Sequence, residues 1–405
     1  RILNRWKLSA PIWTSKSRFI LRSWVSSIKH EAKAMAANKN NKALNVPHLR
    51  FPEFTEEWRK YKLSEICSFF SGGTPSSSKK EYYDGSIPFI RSGELHEDQT
   101  ELFITEDGLK NSAAKMVEVG DLLLALYGAT SGDIAISKIN GAINQAILCI
   151  RTEQHKKFIE SIWYKHVGKL LQTYLQGGQG NLSADIVKNI SFYFAAIEEQ
   201  KKLAEFIALL DERIATQNKI IEKLETLIKA LSHKLTTQKG PNTLLKDCLI
   251  CHSSTLLENN VKEKGKYPVY GATGICGYTD ENDISGDAIL IIKDGASVGT
   301  ATYATGKYSV IGTLNYLQSS QDNYLLPYIY YSLKTFNFAP YITGMAIPHI
   351  YFRDYGKAKI WCPDIVEQKR IATALSTMDF KLQIEQNILR NLISQKQYLL
   401  SNLFI

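Results

Sequence analysis

Two stretches of the sequence combine basic and aromatic side chains with glycine turns. Lysine neutralises phosphates, arginine can pair bidentately with guanine, and backbone N–H groups of a glycine turn can hold a phosphate, so these stretches are candidates for contact with DNA. The candidate residues are Gly72, Gly73, Thr74, Lys79, Lys80, Tyr82 and Arg91 in the first stretch, and Lys266, Tyr270, Tyr278 and Lys293 in the second. A tight turn and a solvated charged face explain the same residues without a ligand, so both interpretations stay open here.

The common motifs of catalysis are missing from the sequence. No Gly-Lys pair is followed by Ser or Thr, as a nucleotide-binding P-loop requires, and no Pro-Pro dipeptide forms the base-holding loop of N-methyltransferases. Glu199 and Glu367 each begin a Glu-x-Lys triplet seen in some nuclease sites, but both lie where a helix is predicted to start, and Glu there suits the helix dipole. Cys248 and Cys251 form a lone CxxC without a second ligand pair, so no metal site is expected. The sequence predicts a protein without catalytic residues.

Charge and cysteine content restrict the class of protein only weakly. The formal net charge is +9, but eight basic residues and one acidic residue fall within 1–34, and the rest of the chain is nearly neutral. The six scattered cysteines favour a reducing compartment, and no apolar run is long enough to span a membrane, so a cytoplasmic location is expected. Residues 1–34 resemble an organellar presequence or a basic arm, although Met35 as the true start is the favoured interpretation.

The strongest signal is an internal duplication. The stretch AAIEEQKKLAEFIALLDERI at 195–214 matches PDIVEQKRIATALSTMDFKL at 363–382, and GDLLLALYGATSG at 120–132 matches GDAILIIKDGASVG at 286–299. Such a period indicates two copies of one structural unit.

Each copy ends in a heptad pattern typical of a coiled coil. Apolar residues alternate in steps of three and four, and the seam includes Leu203, Ile207, Leu210, Ile214, Ile221, Leu224, Leu375, Leu382, Leu389 and Leu392. Gln217 and Glu385 interrupt the two seams at equivalent positions, 168 residues apart. An antiparallel pairing with seam numbers summing to 606 would place Ile221 opposite Glu385 and hold two globules at the ends of a rod about 55 Å long. Two unrelated amphipathic surface helices are the simpler alternative.

These patterns predict an α+β protein in which two mainly β modules alternate with two long helices that pair as an antiparallel coiled coil. Short alternating strands and glycine turns precede each helix, and Gly240-Pro241 ends the first helix. The expected segments are 1–45 as a basic N-terminal segment, 46–197 and 243–365 as the two modules, and 198–237 and 366–405 as the two helices.

Over residues 46–405 the sequence resembles the specificity subunits of type I restriction-modification systems. The similar segments are VPHLRFPEFTEEWRKYKLSEI at 46–66, GGTPSSSKKEYYDGSIPFIRSGEL at 72–95, GDLLLALYGATSGDIAI at 120–136, AINQAILCI at 142–150, KYPVYGATGICGY at 266–278 and the two helix starts. The resemblance implies two target recognition domains that each read half of a bipartite site in double-stranded DNA, separated by helices that also dock two modification subunits.

The same resemblance implies that cofactors are held elsewhere. S-adenosylmethionine would lie on the modification subunits, and ATP and Mg²⁺ on restriction subunits, so this chain would be a non-catalytic reader. Two alternatives remain: a chain that itself methylates or cuts DNA, and a duplicated β-module scaffold that binds protein partners without reading DNA. The missing motifs disfavour the first alternative, and DNA binding that weakens steeply with salt would exclude the second.

Overall fold

The computed structural model describes residues 45–175 and 181–405, and the prediction for residues 1–34 lies outside them. Within these ranges the α-helices are α1 (Leu63–Ile66), α2 (Glu106–Lys110), α3 (Lys156–Leu175), α4 (Ala184–Asn189), α5 (Ile197–Thr236), α6 (Leu245–Cys248), α7 (Leu326–Lys334), α8 (Phe352–Tyr355) and α9 (Ile365–Leu403). The two long helices thus occupy the two heptad stretches. The described residues divide into two compact units, one formed by the chain up to Ala215 together with Arg390–Ile405, the other by Thr216–Leu389.

Ten strands form the sheets of the first module. They are β1 (Arg59–Lys62), β2 (Cys67–Ser71), β3 (Tyr83–Ile90), β4 (Phe103–Ile104), β5 (Lys115–Val117), β6 (Leu122–Ala125), β7 (Ile134–Ile136), β8 (Gly141–Ile143), β9 (Ile147–Thr152) and β10 (Ser191–Phe194). The strand orders are β2-β9-β6-β7 and β4-β3-β8-β5, with a separate β1-β10 pair. Strands β3 and β8 run parallel, and the other pairs run antiparallel.

The second module repeats this topology with ten further strands. They are β11 (Thr243–Leu244), β12 (Leu249–Ser253), β13 (Tyr267–Gly271), β14 (Gly274–Thr279), β15 (Ile284–Ser285), β16 (Ala288–Ile292), β17 (Ala301–Ala304), β18 (Lys307–Val310), β19 (Leu314–Ser319) and β20 (Lys359–Ile360). The orders β12-β19-β16-β17 and β14-β13-β18-β15 match those of the first module, and β13 and β18 form the equivalent parallel pair. The predicted internal repeat and the α+β class are confirmed.

The central strand of each module is apolar because it is covered on both faces. All four residues of β6 and all five of β16 are buried. Alternate residues of these strands belong to different clusters: Leu124 packs with α3 and the long helices, whereas Leu123 packs on the side of β3 and β8. A continuous apolar run is expected of a strand buried in this way.

The long helices pack antiparallel within each unit. In the first unit, Leu203 and Ile207 of α5 share a core with Leu399 and Leu403 of α9. In the second unit, side chains from the end of α5 share a core with side chains from the start of α9. Gln217 of α5 also contacts Glu385 of α9 in this unit. The ten seam residues named in the heptad are all buried or half-buried, as the heptad predicts.

The register differs from the predicted one at the polar pair. Ile221 was expected opposite Glu385, but the Gln217 Nε2 donates to Glu385 Oε2 at 2.7 Å and to the Glu385 carbonyl oxygen at 3.1 Å. The Gln217 side chain therefore reaches a residue one helical turn from the predicted one, whereas the ion pair of Asp211 with Lys396 lies within one residue of the predicted register. Because an unpaired polar group inside the seam costs free energy, the two polar interruptions of the heptad pair with each other.

Candidate nucleic-acid interface

The glycine pair after β2 is explained by close packing. A Cβ on Gly72 would lie 1.8 Å from the Ile143 carbonyl oxygen, and one on Gly73 would lie 2.5 Å from the Ala113 Cβ. Both glycines have negative φ, so close approach and not a left-handed turn requires them here. Thr74 is exposed and its hydroxyl donates to Gln145 Oε1 at 2.6 Å. Of these three residues, only Thr74 presents a side chain to an external ligand.

Lys79 and Tyr82 form one local arrangement before β3. The Lys79 Nζ donates to the Tyr82 Oη at 2.9 Å and lies 4.9 Å from the centroid of its ring. This hydrogen bond raises the pKa of Lys79, and Tyr82 is 7% exposed. The tyrosine therefore positions the ammonium group and has little surface of its own for DNA. Lys80 is exposed beside it.

Arg91, directly after β3, is paired with two carboxylates of the same module, one of them well exposed. Its Nη2 lies 2.7 Å from Glu94 Oε1 and 2.8 Å from Glu101 Oε2, and its Nε donates to Glu94 Oε2 at 3.2 Å. Partial burial alone would raise the pKa of Glu94, but the hydrogen bonds from Arg91, Glu101 and Thr100 outweigh it and lower that pKa to about 2. Bidentate pairing with guanine would require Arg91 to leave Glu94.

In the second module, Lys266 and Tyr278 belong to the β13–β14 hairpin, in which Tyr278 lies opposite Pro268. The Lys266 backbone N–H donates to the Thr279 carbonyl at 3.0 Å, and Lys266 Nζ lies 5.2 Å from the Tyr267 ring centroid. Tyr270 faces inward and makes an edge contact with Tyr308 at 5.5 Å. Lys266 directly precedes β13, whereas Lys79 lies four residues before the topologically equivalent β3, so the two lysines do not occupy equivalent positions.

Lys293 lies apart from this hairpin and borders a surface that the sequence did not indicate. Its backbone carbonyl accepts from the Ile350 N–H at 2.9 Å, which joins it to the turn before α8. That turn exposes Met345 fully and Ile347 by 65%. The guanidinium of Arg353 lies 4.6 Å from the centroid of the Tyr351 ring. In the sequence, Gly344 was a signal for this turn. In the structure Gly344 has φ +89°, and a Cβ there would lie 2.3 Å from a carbonyl oxygen.

The Glu-x-Lys triplets have structural partners. Arg50 binds Glu199 bidentately, at 2.7 and 2.8 Å, and Trp58 Nε1 donates to the same carboxylate at 3.2 Å. Glu367 pairs with Arg370 on its own helix. Among the described residues, no group of three or more His, Cys, Asp and Glu side chains could hold a metal ion. No helix in the same part of the chain is both long enough and apolar enough to cross a bilayer.

Comparison with known proteins decides the family. The model of the type I restriction modification DNA specificity domain matches residues 55–226 and 248–393, which together include most of both modules and both long helices. This chain belongs to that family. The predicted resemblance is therefore confirmed, and the two modules are specificity domains.

Curated relatives of these specificity domains are type I restriction enzyme specificity subunits. The MjaVIII subunit of Methanocaldococcus jannaschii is 25% identical over 195 residues, or 47% of this chain and 44% of the relative. The EcoR124I/EcoR124II subunit of Escherichia coli is 27% identical over 189 residues, 44% of this chain and 45% of the relative. The chain thus spans less than half the length of these two relatives in the matched regions.

Solved structures share the fold of the two specificity domains at low sequence identity. The S subunit of a type I restriction-modification system from M. genitalium has a TM-score of 0.62 and 18% identity, covering 89% of this chain and 99% of that one. A chain from a study of complex assembly and conformational transition in a type I system has a TM-score of 0.52 and 16% identity, covering 85% and 96%.

Proposed function

We propose that this chain is the DNA-reading specificity subunit of a type I restriction-modification complex. Each specificity domain reads one half of a bipartite site in double-stranded DNA. The observation that carries the proposal is the pair of modules with the same strand order, each followed by a long helix, in a chain of this family. Each base pair read contributes about 1–3 kcal/mol of discrimination, so joining two readers in one chain increases the selectivity for a long site.

The chemistry of the complex resides on other subunits in this proposal. Two modification subunits dock on the long helices and supply S-adenosylmethionine, and restriction subunits supply the ATP- and Mg²⁺-dependent steps. Glu199 is hydrogen-bonded to Arg50, and the common motifs of catalysis are missing from the sequence. Both observations support a non-catalytic role for this chain. Methyl transfer by the purified chain with S-adenosylmethionine alone would contradict it.

The competing class is a scaffold that binds only proteins. DNA affinity of the chain in complex with its modification subunits, measured over a range of salt concentrations, separates the two functions. For a specificity subunit, the logarithm of the DNA-binding constant should fall linearly with the logarithm of the salt concentration, because phosphate contacts release counterions. A complex that shows no binding to duplex DNA at low salt would favour the scaffold.

Exchanging one module tests independent reading. We expect replacement of residues 59–194 by the same module of a relative to change one half of the methylated sequence and leave the other half unchanged, because all strands of the first module lie within this range. Methylome sequencing of a host carrying the chimera and the modification subunit gives the result. A chimera that alters both halves would contradict independent reading.

Lys79 and Arg91 should differ in their contribution to DNA binding. Lys79→Ala should weaken binding uniformly across sequences and reduce the salt slope by about 1, because Tyr82 holds this ammonium at the surface. Arg91→Ala should change affinity less, since Glu94 and Glu101 already occupy its guanidinium. Fluorescence anisotropy with a labelled duplex measures both variants. A larger loss for Arg91→Ala would show that Arg91 leaves Glu94 to contact DNA.

A further inference from the structure

In each copy of the repeat, an equivalent glutamine attaches the module to its long helix. Gln200 and Gln368 occupy equivalent repeat positions, and both are 1% exposed. Gln200 Oε1 accepts from the His155 N–H at 3.1 Å, and Gln368 Oε1 accepts from the Leu325 N–H at 2.8 Å. These donors directly precede α3 and α7, which follow β9 and β19 in the two modules. Each glutamine also donates from Nε2 to the carbonyl five residues before it, at 2.8 Å. The attachment is therefore the same in both copies.

A second attachment uses an aspartate eleven residues further along each helix. Asp211 Oδ2 lies 2.7 Å from the Nζ of Lys157 on α3, and its Oδ1 lies 2.5 Å from the Nζ of Lys396 on α9. At the equivalent position, Asp379 Oδ2 accepts from the hydroxyl of Tyr331 at 2.8 Å and Asp379 Oδ1 lies 3.6 Å from the Nζ of Lys334, both on α7. A carboxylate paired with a lysine of the module is common to both copies, and the second copy adds the tyrosine hydroxyl. What is retained is the link between helix and module.

These contacts are suited to fixing geometry. The side chains of Lys157, Asp211 and Asp379 are 20–29% exposed, and Tyr331 is 3% exposed, so the bonds are partly shielded from water. Hydrogen bonds are directional, whereas apolar contacts tolerate sliding. Two attachments separated by eleven residues lie about 16 Å apart along a helix. One attachment fixes a position, and two fix the tilt of the module on its helix segment as well.

We propose that Gln200 with Asp211, and Gln368 with Asp379, are positioning residues that set the tilt of each module on its helix and so the spacer length that the protein accepts between half-sites. The inference rests on the proposed function. A module that can tilt would reach half-sites at neighbouring spacings. Loss of an attachment should therefore relax spacer choice without changing which bases each module reads.

The test uses the full chain in complex with its modification subunits and duplexes that carry both half-sites. The spacer is either the natural one or one base pair longer or shorter. The double variant Tyr331→Phe with Lys334→Met removes both groups of α7 that reach Asp379 and leaves the aromatic ring in the core, and Asp379→Ala and Asp211→Ala remove the acceptors. We expect the preference for the natural spacer to fall about tenfold in each variant, with unchanged preference for the half-site sequences.

Glu198→Gln is the matched control, because Glu198 is an exposed carboxylate on α5 that pairs with Lys201 of the same helix. It should retain the wild-type preference. If the aspartate variants fail to fold, the double variant Tyr331→Phe with Lys334→Met decides the outcome. Folded variants with full spacer preference would overturn the inference, even if their melting temperatures fall. A wild-type complex indifferent to the half-site sequences would instead refute the proposed function, which is a separate result.

Discussion

Leu375→Asp is expected to unfold the second unit or to abolish assembly with the modification subunits. Leu375 is fully buried and packs with Ile371 of its own helix, Leu235 of α5 and the core of the second module. An unpaired carboxylate at this position loses the apolar contacts and lacks a partner, which costs several kcal/mol. A loss of this size is a large part of the stability of an ordinary domain. Urea unfolding followed by circular dichroism measures the loss.

The neighbouring position provides the control for this substitution. Ser376 is exposed on the same helical turn, so Ser376→Asp introduces the same charge in the same region without burying it. We expect a change within about 0.5 kcal/mol for this control. A Leu375→Asp protein with wild-type unfolding and normal DNA methylation would mean that the seam does not hold the unit together.

Adding one heptad to both long helices is expected to lengthen the accepted DNA spacer by about three base pairs. The insertions belong between Gln217 and Asn218 and between Ile384 and Glu385, which lie on the same side of the polar pair because α5 and α9 run antiparallel, with apolar residues at the seam positions. One heptad adds about 10 Å at 1.5 Å per residue, and duplex DNA rises about 3.4 Å per base pair. The expectation depends on the arrangement predicted from the sequence, in which the paired helices separate the modules.

Methylome sequencing reads this result directly, because both half-sites should stay the same while the distance between them grows. Insertion into one helix alone is the control, and it should abolish methylation by shifting every seam residue relative to its partner. A tolerated double insertion with the old spacer would show that the helices do not set the distance.

The sequence by itself determined the elements and their repetition. The heptads of α5 and α9 and the matched turns after β6 and β16 are periodic or locally encoded, so they can be read from neighbours along the chain. The segment boundaries of the modules remain a prediction. The compact units divide the chain within both long helices, so they do not show where each module ends.

Only the tertiary structure decided which candidate side chains are exposed to solvent and which are buried or bonded within the protein. Sequence spacing grouped Tyr82 and Arg91 with Lys79 as candidates, but Tyr82 is buried and Arg91 is held by carboxylates. It also placed Gln217 and Glu385 on equivalent seams without showing that they bond to each other. These outcomes depend on contacts between residues far apart in the chain. Periodicity fixes which face of an element is buried, whereas the partner of a polar group follows from how those faces pack.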